Sequence, residues 1–394
     1  MQTEFAEPWE AEDLTLDDEK SSIIATSSAL SWRFGDDAQQ LSRPAPTTFG
    51  QFGQPSPFPT TRYYGSKRRQ MDWLREEIGR LKGYTVLDAF GGTGAVSHLL
   101  SQLGWEVTYN DIFQFNTISA RALFSPGSAQ ISASDVASIL RAVRPSPGFI
   151  HTTFANLYFT DEENAWLDGF MMALARVEPA CKDLLLHCLF QACLKKRPYN
   201  LFHRANLKLR QSRVEVRFGN RTTWEKSFAE HILSTFEEVR QMQRGLGENI
   251  RVTAGLSAEE IAPGYDFVYV DPPYFKRAKT TDSYLSRYHF LEGLARYDEW
   301  PQLIDGGDRL RRIEPSTVSE WTDKAAITRN LAALIQTHRK AKFALSYVSG
   351  EHPSEEELFA LFCENFNRVR LSRRAYGRAL SKNKFFELLL IGEP

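Results

Sequence analysis

Cysteine is scarce. The chain has four in 394 residues, Cys181, Cys188, Cys193 and Cys363, with no Cys-x-x-Cys pair and no regular framework. That argues against a disulfide scaffold and a cysteine zinc site, and it fits a reduced, cytoplasmic setting with no metal. Long apolar runs are missing as well. The longest, Leu184–Leu194, is interrupted by His187 and Gln191 and is too short to span a bilayer, so no membrane partner is expected. The acidic N-terminus has no apolar core of the kind a secretory signal needs. Net charge is close to nil, −1 from 48 basic and 49 acidic residues, but this average conceals a division. Residues 1–20 hold eight acids and one lysine, leaving +6 on residues 21–394. There is no internal repeat.

What the chain does have is length and apolar content. At 42% hydrophobic and 12% aromatic residues it can bury a large core and suits two domains. Residues 1–58 do not share that character. They pass from acidic to Ser- and Ala-rich sequence and then to Pro44, Pro46, Pro55 and Pro57, and read as a disordered leader.

Ordered signals begin after it. Tyr64-Gly65-Ser66-Lys67 runs into Met71, Leu74, Ile78 and Leu81 at helical spacing, with Ser66 as the expected N-cap and Lys67 beside an anion-binding helix start. Thr85–Asp88 then reads as a strand, Ala89-Phe90-Gly91-Gly92-Thr93-Gly94 as a glycine-rich turn, and Ala95–Leu103 as a helix ended by Gly104. A second strand closes on Asn110-Asp111. This βαβ unit places a ligand loop after its first strand, and Asp111 lies near the offset of a ribose-binding acid. The spacing alone also admits a dinucleotide. Asp88, however, stands at the strand end ahead of the glycines, where a carboxylate repels a pyrophosphate and suits an ammonium. S-adenosylmethionine is therefore the expected cofactor.

Farther along, Phe267–Val270 is a short apolar run that stops at Asp271-Pro272-Pro273-Tyr274. Two prolines make a stiff, extended corner without backbone amides. By itself the corner also reads as a rigid turn. Its kit nevertheless suits one chemistry: Asp271 and the Pro272 carbonyl can accept the two hydrogens of a ring amine, and Tyr274 can stack on the ring.

In this order, Tyr64-Gly65-Ser66-Lys67, Asp88–Gly94, Asn110-Asp111 and Asp271–Tyr274 resemble the motifs of the Dam-like, alpha-group DNA adenine-N6 methyltransferases. The resemblance covers about residues 62–392. It implies an α/β, Rossmann-like, S-adenosylmethionine-dependent sheet formed by residues 59–115 and 249–394, with an inserted, mainly helical target-recognition domain at 116–248. It further implies that Tyr64, Gly65, Gly91 and Gly94 help bind the donor, with Lys67, Phe90 and Gly92 at its methionyl end, Asp88 on its ammonium and Asp111 on its ribose. Asp271, Pro272, Pro273 and Tyr274 would hold the adenine. Thr253-Ala254-Gly255-Leu256 offers no obvious polar partner for the donor's own adenine.

Within the insertion, residues 195–221 carry Lys195, Lys196, Arg197, Arg204, Lys208, Arg210, Arg213, Arg217 and Arg221 against a lone Glu215, interleaved with Tyr199, Phe202 and His203. Such a stretch is expected to contact phosphates of double-stranded DNA, and Lys276 and Arg277 add charge beside the catalytic corner. The expected role is site-specific adenine methylation in restriction-modification or phage defence, by a monomer or weak dimer alongside a cognate restriction endonuclease. RNA adenine or cytosine-N4 methylation, and a non-catalytic DNA-binding protein with the same fold, are the alternatives.

Overall fold

The computed structural model describes residues 20–26, 58–63, 65–125, 131–212, 221–276, 283–314, 321, 323–376 and 385–394. Ten strands occur among them: β1 (Lys20–Thr26), β2 (Thr85–Asp88), β3 (Glu106–Tyr109), β4 (Ile250–Val252), β5 (Phe267–Val270), β6 (Phe275–Lys276), β7 (Lys342–Val348), β8 (Glu351–His352), β9 (Arg368–Tyr376) and β10 (Phe385–Glu393). Eight form one sheet in the order β1-β9-β10-β7-β5-β2-β3-β4, and β6 pairs with β8 in a small ribbon. Strands β4, β3, β2, β5 and β7 are mutually parallel, while β10 runs antiparallel to β7 and to β9.

The parallel strands are apolar on both faces because helices cover both sides. Phe267–Val270 is buried throughout, and so are Phe343–Val348. One apolar layer joins Trp73, Leu100 and Val107 to the helices of the insertion through Phe154, Leu185 and Phe228. The opposite layer packs Leu87, Val268 and Leu345 against Leu331 and Phe362. Residues 116–248 thus share a core with one face of the sheet and do not enclose a separate one. Several helix starts there and beyond are written locally as capping boxes: Ser132 with Asp135, Thr160 with Glu163, Ser227 with Glu230 and Ser354 with Glu357. None of the helices in the described residues is long and apolar enough to cross a membrane.

Two local expectations change. The disordered leader is not uniform, because Lys20–Thr26 adds to the sheet antiparallel to β9, from Lys20 opposite Arg374 to Thr26 opposite Arg368. A strand edge presents unpaired backbone groups, and a β-branched Ile-Ile-Ala-Thr segment suits them. The rest of 1–57 lies outside the described residues. Ser66 precedes a 3-10 turn, Lys67–Gln70, and makes no capping bond through its side chain; the α-helix starts at Met71 and stops at Ile78.

The chain steps outward from β2 to β3 and β4, then returns to place β5 on the other side of β2. The loops leaving β2 and β5 therefore diverge. A crevice opens at their carboxyl ends, the switch point where open α/β sheets bind ligands.

Candidate active site

Two strand ends build this crevice. Asp88 is the last residue of β2 and lies in register with Tyr269, so Asp271 emerges from the neighbouring strand two residues beyond Asp88's partner. Both carboxylates line a single open cleft, together with Gly65, Lys67, Phe90, Gly91, Gly92, Asp111, Pro273 and Tyr274. Counting the open solvent at its mouth, the cleft spans about 1400 Å³.

The glycine turn is pinned from β3. Gly91 donates its N–H to the Asn110 carbonyl at 2.7 Å and Gly94 donates to the Gly91 carbonyl at 2.8 Å. Tyr109 donates its hydroxyl to the Gly92 carbonyl at 2.8 Å. Asp111 accepts the N–H of Gly92 on one oxygen and that of Phe113 on the other, both at 2.9 Å. A Cβ on Gly91 would stand 2.1 Å from the Tyr109 ring, so the close packing of turn on strand admits no side chain there. Gly94 has φ +80° and faces the Phe124 ring.

Asp88 is almost completely buried, and Ser97 donates its hydroxyl to Oδ2 at 2.6 Å. Oδ1 has no protein partner, and neither does the buried hydroxyl of Ser66 on the same cleft. Burial pushes the Asp88 pKa up to about 7 against the Ser97 bond, with the charges of Asp271 and Asp111 adding to the rise. Burial also raises Asp111, to about 6. In both cases burial disfavours the charged carboxylate.

The catalytic corner is arranged differently. Lys67 lies 2.9 Å from Asp271 Oδ2 and donates to the Tyr274 hydroxyl at 2.5 Å. That hydroxyl in turn donates to Asp271 Oδ1. Lys67 also lies 5.0 Å from the centre of the Tyr274 ring, which packs edge-on to Tyr347. Expected at the donor's methionyl end, Lys67 is instead engaged with Asp271. Pro272 is buried behind the corner, and Pro273 faces the cleft.

Several cleft residues were not anticipated. The Asn110 amide reaches the carbonyls of Ala89 and Leu256 at 3.2 and 2.9 Å, and its oxygen accepts from Thr253 and from the Leu256 N–H. It ties the end of β3 to the segment after β4, whose Leu256, Ser257 and Ala258 close one end of the cleft. Tyr63 and Tyr284 line it too, Tyr63 stacked on Tyr288 at 4.8 Å. Asn110 was signalled by its place beside Asp111; nothing local marked the tyrosines, which arrive by packing.

The sequence profile of the D12 class N6 adenine-specific DNA methyltransferases matches residues 63–343. The chain belongs to this family. Among its relatives, the type II methyltransferase M2.HphI of Haemophilus parahaemolyticus is 26% identical over 349 residues, covering 85% of this chain and 98% of the relative. The type II methyltransferase M.NlaIII of Neisseria lactamica is 22% identical over 334 residues, 80% of this chain and 91% of the relative. The modification methylase LlaI of Lactococcus lactis subsp. lactis is 24% identical over 275 residues, 64% of this chain but 40% of its own length. An adenine-N6 DNA methyltransferase needs a methyl donor and a DNA substrate.

The basic stretch of this methyltransferase is only partly surface. Lys195 donates to the Thr235 hydroxyl at 3.0 Å and lies 3.8 Å from Glu238. Lys196 pairs with Glu163 at 2.9 Å and donates to the Trp224 carbonyl. Arg210 forks onto the same Glu163 at 2.7 and 2.9 Å. Arg197, 1% exposed, donates to the carbonyls of Leu201, Arg204 and Ala205 while lying over the rings of Tyr158 and Phe202. These four cations are corrected from phosphate contacts to internal fasteners. The physical reason is that the helix Pro179–Lys195 runs through the core, and the loop after it folds back so that its carbonyls need buried donors. Arg204, Lys208 and Arg221 are exposed, with Arg221 paired to Glu225 at 2.8 Å. Tyr64, Arg213, Arg217, Arg277 and the side chain of Lys276 lie outside the described residues. His289 is fully buried against the Tyr158 hydroxyl at 3.0 Å, and burial lowers its pKa to about 3, which gives it a structural role.

Two outcomes follow from these placements. Arg197→Ala strands several buried carbonyls and should lower stability by about 3 kcal/mol or more in urea unfolding. The Asp88 carboxyl, raised on folding, contributes stability that is complete below about pH 4 and lost as pH rises through 7. In the absence of ligand, the stability of Asp88→Asn relative to the parent should therefore grow by up to about 1.4 kcal/mol per pH unit between pH 4 and 7, then level off. Parallel pH profiles for the two proteins would contradict that assignment.

Proposed function

We propose that this chain transfers a methyl group from S-adenosyl-L-methionine to N6 of an adenine extruded from double-stranded DNA, as the modification partner of a restriction endonuclease. The observation that carries this reading is the pair of carboxylates, Asp88 and Asp271, on one cleft at the ends of adjacent parallel strands. A DNA substrate supports a cytoplasmic, nucleoid-associated reading, and we keep the expectation of a monomer or weak dimer.

The residues present fit the donor. Asp88 Oδ1 and the Ser66 hydroxyl are buried and unpartnered on the cleft, so the first suits an ammonium and the second a carboxylate. Phe90, Gly91, Gly92 and Gly94 would form the wall beside the methionyl end, and Asp111 retains lone pairs for ribose hydroxyls while accepting Gly92 and Phe113. Leu256 to Ala258 would cover the donor's adenine by apolar contact, which is why that segment needs no polar partner. When bound, the donor supplies an electrophilic methyl group on a sulfonium.

The chain's own part is to hold the amine in line with that methyl. An adenine stacked in duplex DNA is out of reach, so it must leave the helix, at a cost of a few kcal/mol. Asp271 and the Pro272 carbonyl then accept the two N6 hydrogens, which favours a pyramidal nitrogen and frees its lone pair for attack. Holding two reactants aligned can lower the barrier by about 7–11 kcal/mol. Tyr274 packs beside the base. Exposed Arg204, Lys208 and Arg221 would contact phosphates within the recognition region 116–248.

In a tritiated-methyl transfer assay, Asp271→Ala should cut turnover by about 10²–10³-fold while DNA binding survives; near-normal turnover would remove Asp271 from the mechanism. Neutralising Arg204 and Lys208 together should flatten the slope of log affinity against log salt by about two phosphate contacts. Neutralising the buried Lys196 should leave that slope unchanged.

A further inference from the structure

Glu387 is a buried acid in β10, followed directly by Leu388, Leu389, Leu390 and Ile391. A carboxylate in such a strand is costly unless something opposite rewards it. Opposite it is Lys67, whose Nζ lies 4.0 Å from Glu387 Oε2 and 2.9 Å from Asp271 Oδ2. The Lys67 side chain is 5% exposed and the Glu387 side chain 6%. One ammonium therefore stands between two carboxylates, tight on one and about an ångström slack on the other. Glu387 faces the same corner as Asp271: after burial, the charges of these two acids together raise the Tyr274 phenol well above its ordinary value.

Both oxygens of Asp271 are engaged in this arrangement, Oδ2 by Lys67 and Oδ1 by the Tyr274 hydroxyl. An arriving amine would have to compete with the ammonium and the phenol for the lone pairs of this carboxylate. Resting on the adenine-methylation reading above, we propose that Glu387 is a positioning residue that gives Lys67 a second seat, so that the ammonium can shift off Asp271 when the target adenine arrives. Without that seat, moving off Asp271 would give up a buried ion pair, a cost that holds lysine and aspartate together. With it, the shift exchanges one ion pair for another over about 1 Å, and Asp271 becomes a full acceptor for N6–H.

A double-mutant cycle tests this. Single-turnover methyl transfer is measured on duplex DNA for the parent, Glu387→Gln, Lys67→Gln and the double variant, alongside donor affinity by calorimetry and base extrusion by 2-aminopurine fluorescence at the target position. Glu387→Gln should slow methyl transfer at least tenfold with donor affinity and extrusion within about threefold of the parent. In the Lys67→Gln background the same substitution should cost less than about threefold, because the lock is gone. Equal losses in both backgrounds, or a Glu387→Gln defect confined to donor binding, overturn the proposal. Glu387→Asp keeps the charge and should retain more activity than Glu387→Gln; if the glutamine variant does not fold, the aspartate variant in the two Lys67 backgrounds carries the same comparison. A parent that methylates no adenine refutes the functional reading itself, a result distinct from any outcome of the cycle.

Discussion

Two carboxylates, held out of water at the ends of adjacent parallel strands, are the constraint on which the site depends. Like charges in a low-dielectric cleft repel, and each costs several kcal/mol to bury ionised. The structure answers each differently. Asp271 has its cation built in, through Lys67 and then Glu387. Among the described residues Asp88 makes no ion pair; it keeps one unpartnered oxygen, and burial raises its pKa to about 7. That asymmetry distinguishes the two halves of the cleft: Asp88 keeps a buried oxygen without a protein partner, whereas Asp271 is paired internally.

The glycine turn serves the same constraint from the backbone side. Asn110 and Asp111 are spent largely on holding the turn and the segment after β4, so the wall facing the donor is made of peptide groups and glycines. A side chain at Gly91 would collide with Tyr109. The Asp111 carboxylate that pins Gly92 also faces the cleft, which couples the shape of the turn to whatever occupies the site.

The insertion shows how composition can mislead. Lysines and arginines without nearby acids in sequence look like a surface meant for phosphate, yet Lys196 and Arg210 share Glu163, more than thirty residues upstream. Arg197 satisfies backbone carbonyls instead. No window of sequence contains these pairings, because the partners are brought together only when the buried helix Pro179–Lys195 packs. The same holds for Lys20–Thr26, whose partner in the sheet lies some 350 residues away.

By itself the sequence determined the order of strands and turns, the two acidic strand ends, the glycine positions and the stiff proline corner, since each is written in neighbouring residues through φ restriction, alternation and capping. It also determined the family, through the order of those words. Only the tertiary structure decided which cations face solvent, that Lys67 serves Asp271, that Glu387 stands behind it, and that Tyr63 and Tyr284 wall the cleft. Those outcomes depend on burial and on contacts between distant strands and helices, and the energy of a charge is set by the company it keeps in three dimensions.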